Sequence, residues 1–130
     1  MSPPNRSHRE ESERQGRKAE TRVAVYLRLR GYKIRESRFK TAHGEVDLIA
    51  QKGNIIAFVE VKQRSTQIGI DESMDWRTEH RIMTAAEIWV ERNFDNLPEG
   101  FEMRFDFASI LGPVSSLCRV QYLKNAFRPD

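Results

Sequence analysis

The sequence predicts an α/β protein: a mixed β-sheet flanked by helices, in the order helix, three strands, helix, two strands (αβββαββ). Three observations carry this expectation. Two stretches, residues 12–30 and 74–92, place apolar residues at helical spacing. Two apolar, β-branched runs at residues 45–50 and 58–62 flank Gly53-Asn54, a favoured two-residue hairpin turn of the type that needs glycine first. Finally, Phe101, Met103, Phe105 and Phe107 alternate with Glu102, Arg104, Asp106 and Ala108, the period of a half-buried strand.

Residues 1–11 combine Pro3-Pro4, serine and alternating charges without apolar periodicity, so nothing there repays the entropy of ordering. They are expected to form a flexible basic arm, with residues 12–130 as a single domain. The first helix carries Ala19, Val23, Ala24 and Leu27 on one stripe, with Tyr26 beside them and Gly31 as its stop. Glu20 falls on that apolar stripe at 100° per residue. It is either a glutamate at the stripe's edge, paired with Arg17 or Lys18, or a carboxylate reaching toward the hairpin.

Residues 32–40 suit an edge strand, and residues 41–44 a loop in which His43 faces solvent. Residues 63–73 are polar with one glycine, hence a loop over a cleft, after which Ser73 or Asp75 caps the second helix. That helix turns Ile82, Ala85, Ala86 and Trp89 to one face, so Trp89 is a core residue. Pro98 and Gly100 mark a turn. In the strand that follows, Asp106 points away from the phenylalanines, as a surface residue or a salt-bridge partner. Gly112-Pro113 ends this strand. The last strand, about residues 118–123, leads to Phe127, which anchors the tail.

The 130 residues, 38% of them hydrophobic, suffice for one modest core. No run approaches a membrane span and the first residues lack the apolar centre of a secretory signal, so a cytoplasmic protein without membrane partners is expected. Cys118 is the single cysteine, a plain strand residue, and the three histidines have no zinc-ligand spacing. The net charge of +3 is uneven: residues 1–40 carry +7 and the remainder −4. The basic part is either a solvated surface or a face for a polyanion.

The hairpin holds the chemistry. With Gly53 and Asn54 as the turn, Lys52 pairs with Ile55, and counting outward brings Asp47 opposite Glu60, with Cβ atoms roughly 4.5–5.5 Å apart. Lys62, two residues on, shares the face of Glu60. Two carboxylates so placed repel one another unless positive charge intervenes, which a divalent metal and Lys62 can supply. Mg²⁺ takes one or two carboxylates, keeps several waters and gathers phosphate oxygens, while a lysine steadies the attacking water or the developing charge. The chemistry implied is phosphodiester hydrolysis.

These residues resemble the PD-(D/E)xK nuclease superfamily with its restriction-endonuclease-like fold. More closely, Ala19-Glu20, residues 44–50, residues 58–64, Arg104-Phe105-Asp106 and Asn125-Ala126-Phe127 resemble the YraN family of small bacterial proteins, similar in fold to archaeal Holliday-junction resolvases. The resemblance spans about residues 16–127. It implies Asp47 and Glu60 as carboxylates for Mg or Mn, Lys62 as the catalytic lysine, and Glu20 as the helix glutamate completing the catalytic set. Glu45 is a further acid at the site or a partner for Lys62 or Arg64. The implied partner is DNA, branched DNA included, with Arg17, Lys18, Arg64, Arg77 and Arg81 as nucleic-acid contacts, and a homodimer by analogy with two-fold resolvases.

One departure stands out. Where the family commonly has a lysine early in the second helix, this chain reads Arg77-Thr78-Glu79-His80-Arg81. An inactive nucleic-acid-binding module of the same fold is therefore the alternative reading, and a protein-interaction domain with a buried charge network is a third.

Overall fold

The computed structural model describes residues 6–64, 75–112 and 119–128. Its elements are α1 (Arg6–Leu29), β1 (Lys33–Lys40), β2 (Glu45–Lys52), β3 (Ile55–Arg64), α2 (Trp76–Asn93), a 3-10 turn (Phe94–Asn96), β4 (Glu102–Leu111) and β5 (Val120–Phe127). This is the expected α/β order. The strands form one open sheet in the order β1-β2-β3-β4-β5, antiparallel except for β3 and β4. A parallel pair needs a long crossover, and α2 lies within it.

α1 begins at Arg6, ahead of the expected start at residue 12, so residues 6–11 continue the helix. Polar side chains one turn apart support this extension: Arg14 pairs with Glu11 at 3.0 Å, and Gln15 donates to Glu11 at 3.2 Å. The helix ends as Gly31 predicts. Gly31 takes φ +91, its N–H donates to the Arg28 carbonyl, and the Tyr32 N–H donates to the Leu27 carbonyl, both at 3.0 Å. This pattern is a Schellman closure, sealed by the buried Tyr32 and Leu27 side chains. Residues 1–5, the 65–73 loop with its Ser73 cap, Pro113 and Cys118 lie outside the described residues. Asp75 caps α2, accepting the Thr78 N–H at 2.9 Å.

The sheet has a helix on each face. α1 lays Ala19, Val23, Ala24 and Leu27 over Leu48, Ala50, Ala57, Val59, Ala108 and Ile110. α2 lays Ile82, Ala85, Ala86 and Trp89 over Val46, Ile49, Ile56, Phe58, Phe105 and Phe127. Trp89 is buried edge-to-face against Phe58, as expected of a core residue. Phe127 is buried, and it stacks on Phe105 at 4.9 Å.

The hairpin register is the one its turn predicts, from Lys52 opposite Ile55 to Leu48 opposite Val59. Gly53 takes φ +60, the conformation for which glycine was needed.

Two expectations change. β4 is buried from Phe105 to Ile110, not half-buried, because it lies between β3 and β5 with a helix above and below. Asp106 is accordingly not a surface residue. It sits fully buried where the β4–β5 register slips, accepts Arg104 at 2.8–3.1 Å, Tyr122 Oη at 2.5 Å and the Asn125 N–H at 3.0 Å. Its ion-pair reading therefore holds, and the full set of donors is what makes burial of the charge tolerable.

No helix among the described residues is long and apolar enough to cross a membrane.

Candidate functional site

The site forms where β1, β2 and β3 break their regular geometry. In β1, Arg38 takes φ +55, a left-handed conformation in which a Cβ is strained. On one side of it, the paired Phe39 and Val46 pack toward α2; on the other, Leu48, paired with Ser37, packs toward α1. Residues two apart in a regular strand share a face, so the sheet face switches between Val46 and Leu48. Asp47 lies at the switch.

Asp47 also marks the end of the β2–β3 ladder. Its carboxylate, at Oδ2, accepts the Val61 N–H at 2.8 Å, beyond the last pair, Leu48 with Val59. Its charge acts directly on Glu60. Glu60 is 8% exposed, and Lys62 Nζ stands 3.1 Å from its Oε1. Asp47, Glu60 and Lys62 thus come together.

Glu20 faces this group from α1. Its Oε2 lies 3.7 Å from Arg38 Nε, so its cation partner is Arg38, not Arg17 or Lys18 as in the edge reading. Burial, and then the charge of Asp47, push the Glu20 carboxyl up to about 7, against the pull of Arg38, Lys40 and Arg17. Glu60 is likewise pushed up to about 7 by burial and then by Asp47, with Lys62 pulling it down. Asp47 is also raised, chiefly by burial, while the Val61 N–H and Lys62 favour its charged form. A buried Glu60 and a partly buried Glu20, both raised by the charge of the partly buried Asp47 between them, are chemically a place for a cation.

Among the described residues, no three His, Cys, Asp or Glu side chains stand close enough together to hold a metal ion. The residues that could serve as donors are the Asp47–Glu60 pair, with Glu20 beside Arg38. Such a pair fits Mg²⁺ or Mn²⁺, which complete their coordination with water and substrate oxygens.

The remaining sequence candidates spread around this centre. Arg17 lines a cavity beside Glu20, and Lys18 is exposed on the same helix. Arg81 of α2 pairs with Glu45 at 2.5 Å, which assigns Glu45 a partner other than Lys62 or Arg64. Glu45 nonetheless stays within electrostatic reach of Asp47, whose carboxyl its charge helps to raise. Arg77 lies over the Trp76 ring at 5.1 Å. Arg64 ends β3, and its side chain lies outside the described residues. His43 is exposed, as expected, in a second cavity of about 350 Å³ with Lys40, Thr41 and Arg81.

Gly44 lines that second cavity where the β1–β2 turn touches α2. A Cβ there would stand 2.1 Å from the Arg81 carbonyl oxygen, so the β1–β2 turn meets the α2 backbone only through glycine. Sequence reasoning missed Arg38 as a site residue, since a left-handed arginine inside a strand leaves no compositional mark.

The model of the "Uncharacterised protein family UPF0102" matches residues 19–110, a span that contains Glu20, Asp47, Glu60 and Lys62. The chain is similar to UPF0102 proteins of several bacteria. It is 42% identical over 106 residues to one from Bartonella tribocorum, covering 82% of this chain and 80% of that protein. It is 39% identical over 103 residues to one from Agrobacterium fabrum, covering 79% and 83%. With one from Rhodopseudomonas palustris it shares 46% identity over 91 residues, covering 70% of each.

Proposed function

The chain belongs to the UPF0102 family, which is the YraN family of the sequence resemblance, and on that premise we propose that it is a metal-dependent nuclease acting on DNA, branched DNA included. The observation that carries the proposal is the meeting of Asp47, Glu60 and Lys62 at the point where β2 and β3 part.

Asp47 and Glu60 would hold the cation, which when bound supplies a polarised phosphate and a more acidic water. The Val61 N–H holds the Asp47 carboxylate in one orientation. Lys62, half-exposed and bonded to Glu60, reaches solvent from the wall of the site and can place its ammonium beside a phosphate oxygen or the attacking water. Glu20, which feels the charge of Asp47, would take a proton from water on its own side of the pair.

Incubating the protein with branched, flapped and linear DNA in Mg²⁺ or Mn²⁺ tests this, with Asp47→Ala and Lys62→Ala in parallel. Cleavage should fall by about 10²-fold or more in each variant, the range for loss of a group that stabilises developing charge. Cleavage that survives both substitutions removes the site from consideration.

The start of α2 favours a second reading. Asp75 takes the Thr78 N–H, Glu79 adds an acid to the first turn, and Arg81 is engaged by Glu45. A protein of this fold that binds DNA without cutting it is consistent with such a helix start. Salt-dependent DNA binding with no cleavage of any substrate would select it.

A further inference from the structure

A cavity opens between α1 and β1 beside Glu20. It measures about 240 Å³, and Arg17, Glu20, Arg28, Ser37, Arg38 and Leu48 line it. Residues 17, 20, 21, 24 and 28 recur at helical spacing, so α1 presents two arginines along one face, with Arg38 facing them from β1. Three arginines therefore share the cavity lining with a single carboxylate. That carboxylate does not satisfy them: its contact with Arg38 is 3.7 Å, at the long end of ion pairing. Arg28 has no carboxylate partner among the described residues, and Arg17 meets Glu20 only through its longer-range field.

Like charges gathered without an adequate counter-charge repel one another, and an anion with several oxygens relieves that repulsion best. A guanidinium fork matches the two free oxygens of a phosphodiester. Ser37 adds a hydroxyl at the wall. The cavity adjoins the acid group, because Glu20, which lines it, feels the charge of Asp47 directly.

We propose that this cavity is a subsite for a phosphate of the nucleic-acid backbone, next to the Asp47–Glu60 centre, and that Arg38 leaves Glu20 to bind that phosphate. The choice of occupant rests on the nuclease reading. Once Arg38 has turned to the phosphate, Glu20 loses the nearest cation that favours its charged form.

The test compares the full chain with Arg17→Gln/Arg28→Gln, both exposed helix positions, and with Lys124→Gln on β5 as a remote control. Affinity for a labelled duplex oligonucleotide is measured over a range of salt, with Ca²⁺ replacing Mg²⁺ to suppress turnover. Thermal unfolding verifies that the variants fold. The double variant should bind about 10-fold more weakly, with a salt slope smaller by about one, as for loss of one phosphate contact. The control should change neither quantity.

In a second arm, inorganic phosphate is titrated while the arginine Nε–Hε signals are followed by NMR. Shifts confined to Arg17, Arg28 and Arg38 support the subsite. Unchanged affinity and slope in the double variant, beside normal binding by the parent protein, overturn the subsite alone. No nucleic-acid binding by the parent protein overturns the nuclease reading and this occupant, even if inorganic phosphate still shifts the three arginines.

Discussion

Glu20 and Glu60 both hold protons to about pH 7, from an ordinary value of 4.5, and burial is the first cause in each. The native state therefore binds more protons than the unfolded chain between these values. Its stabilisation by protonation is complete below about pH 4.5 and is lost as pH rises through 7. In EDTA, the melting temperature should fall by several degrees between pH 5 and pH 8. Glu20→Gln should flatten that decline, and Mg²⁺ or Mn²⁺ should restore stability at pH 8; a flat profile in the parent protein would remove the electrostatic account. Asp106 is the contrasting residue, an acid whose burial is fully compensated. Asp106→Ala strands Arg104 and the Tyr122 hydroxyl, and is expected to cost about 3–5 kcal/mol in denaturant unfolding.

At the scale of elements, the β1–β2 hairpin is held in place by backbone geometry. Gly44→Ala drives a Cβ into the Arg81 carbonyl and should destabilise by about 1–3 kcal/mol, with the hairpin tilting away from α2. Arg38→Gly relieves the left-handed strain in β1 and should raise stability by about 1 kcal/mol while weakening any function that needs the guanidinium. Arg38→Val should lower stability, since a β-branched residue is worse there than arginine. Chemical denaturation of these variants separates the two effects.

The β2–β3 register was legible residue by residue, because a two-residue turn leaves no freedom in pairing. The faces of β1 and β2 were not, because the alternation rule assumes a regular strand and Arg38 breaks it without a glycine to announce the break. α1 began earlier than its apolar stripe, since its first turns are held by polar pairs such as Glu11 with Arg14 and Gln15.

For the whole molecule, the helix-on-each-face architecture follows from which residues alternate and where the crossover falls, and both were readable. β4 was misjudged because Arg104 and Asp106 look like a solvent face in sequence. In three dimensions they neutralise each other, with Tyr122 and Asn125 of β5 supplying the remaining donors. The same logic divides the candidate site. Asp47, Glu60 and Lys62 lie within one hairpin, whose register counting gave as far as Leu48 with Val59, whereas the Arg38 contact of Glu20 joins α1 to β1 and depends on tertiary packing.

The Val61 amide reports on the candidate centre, because its proton is held by the Asp47 side chain where the β2–β3 backbone ladder has stopped. Its hydrogen bond strengthens or weakens with the charge on one carboxylate. A single backbone resonance thus serves as a native electrometer for the candidate centre. Its chemical shift and hydrogen-exchange rate should respond to pH and to added Mn²⁺ or Mg²⁺, while the Ala57 amide, within the regular ladder, stays constant.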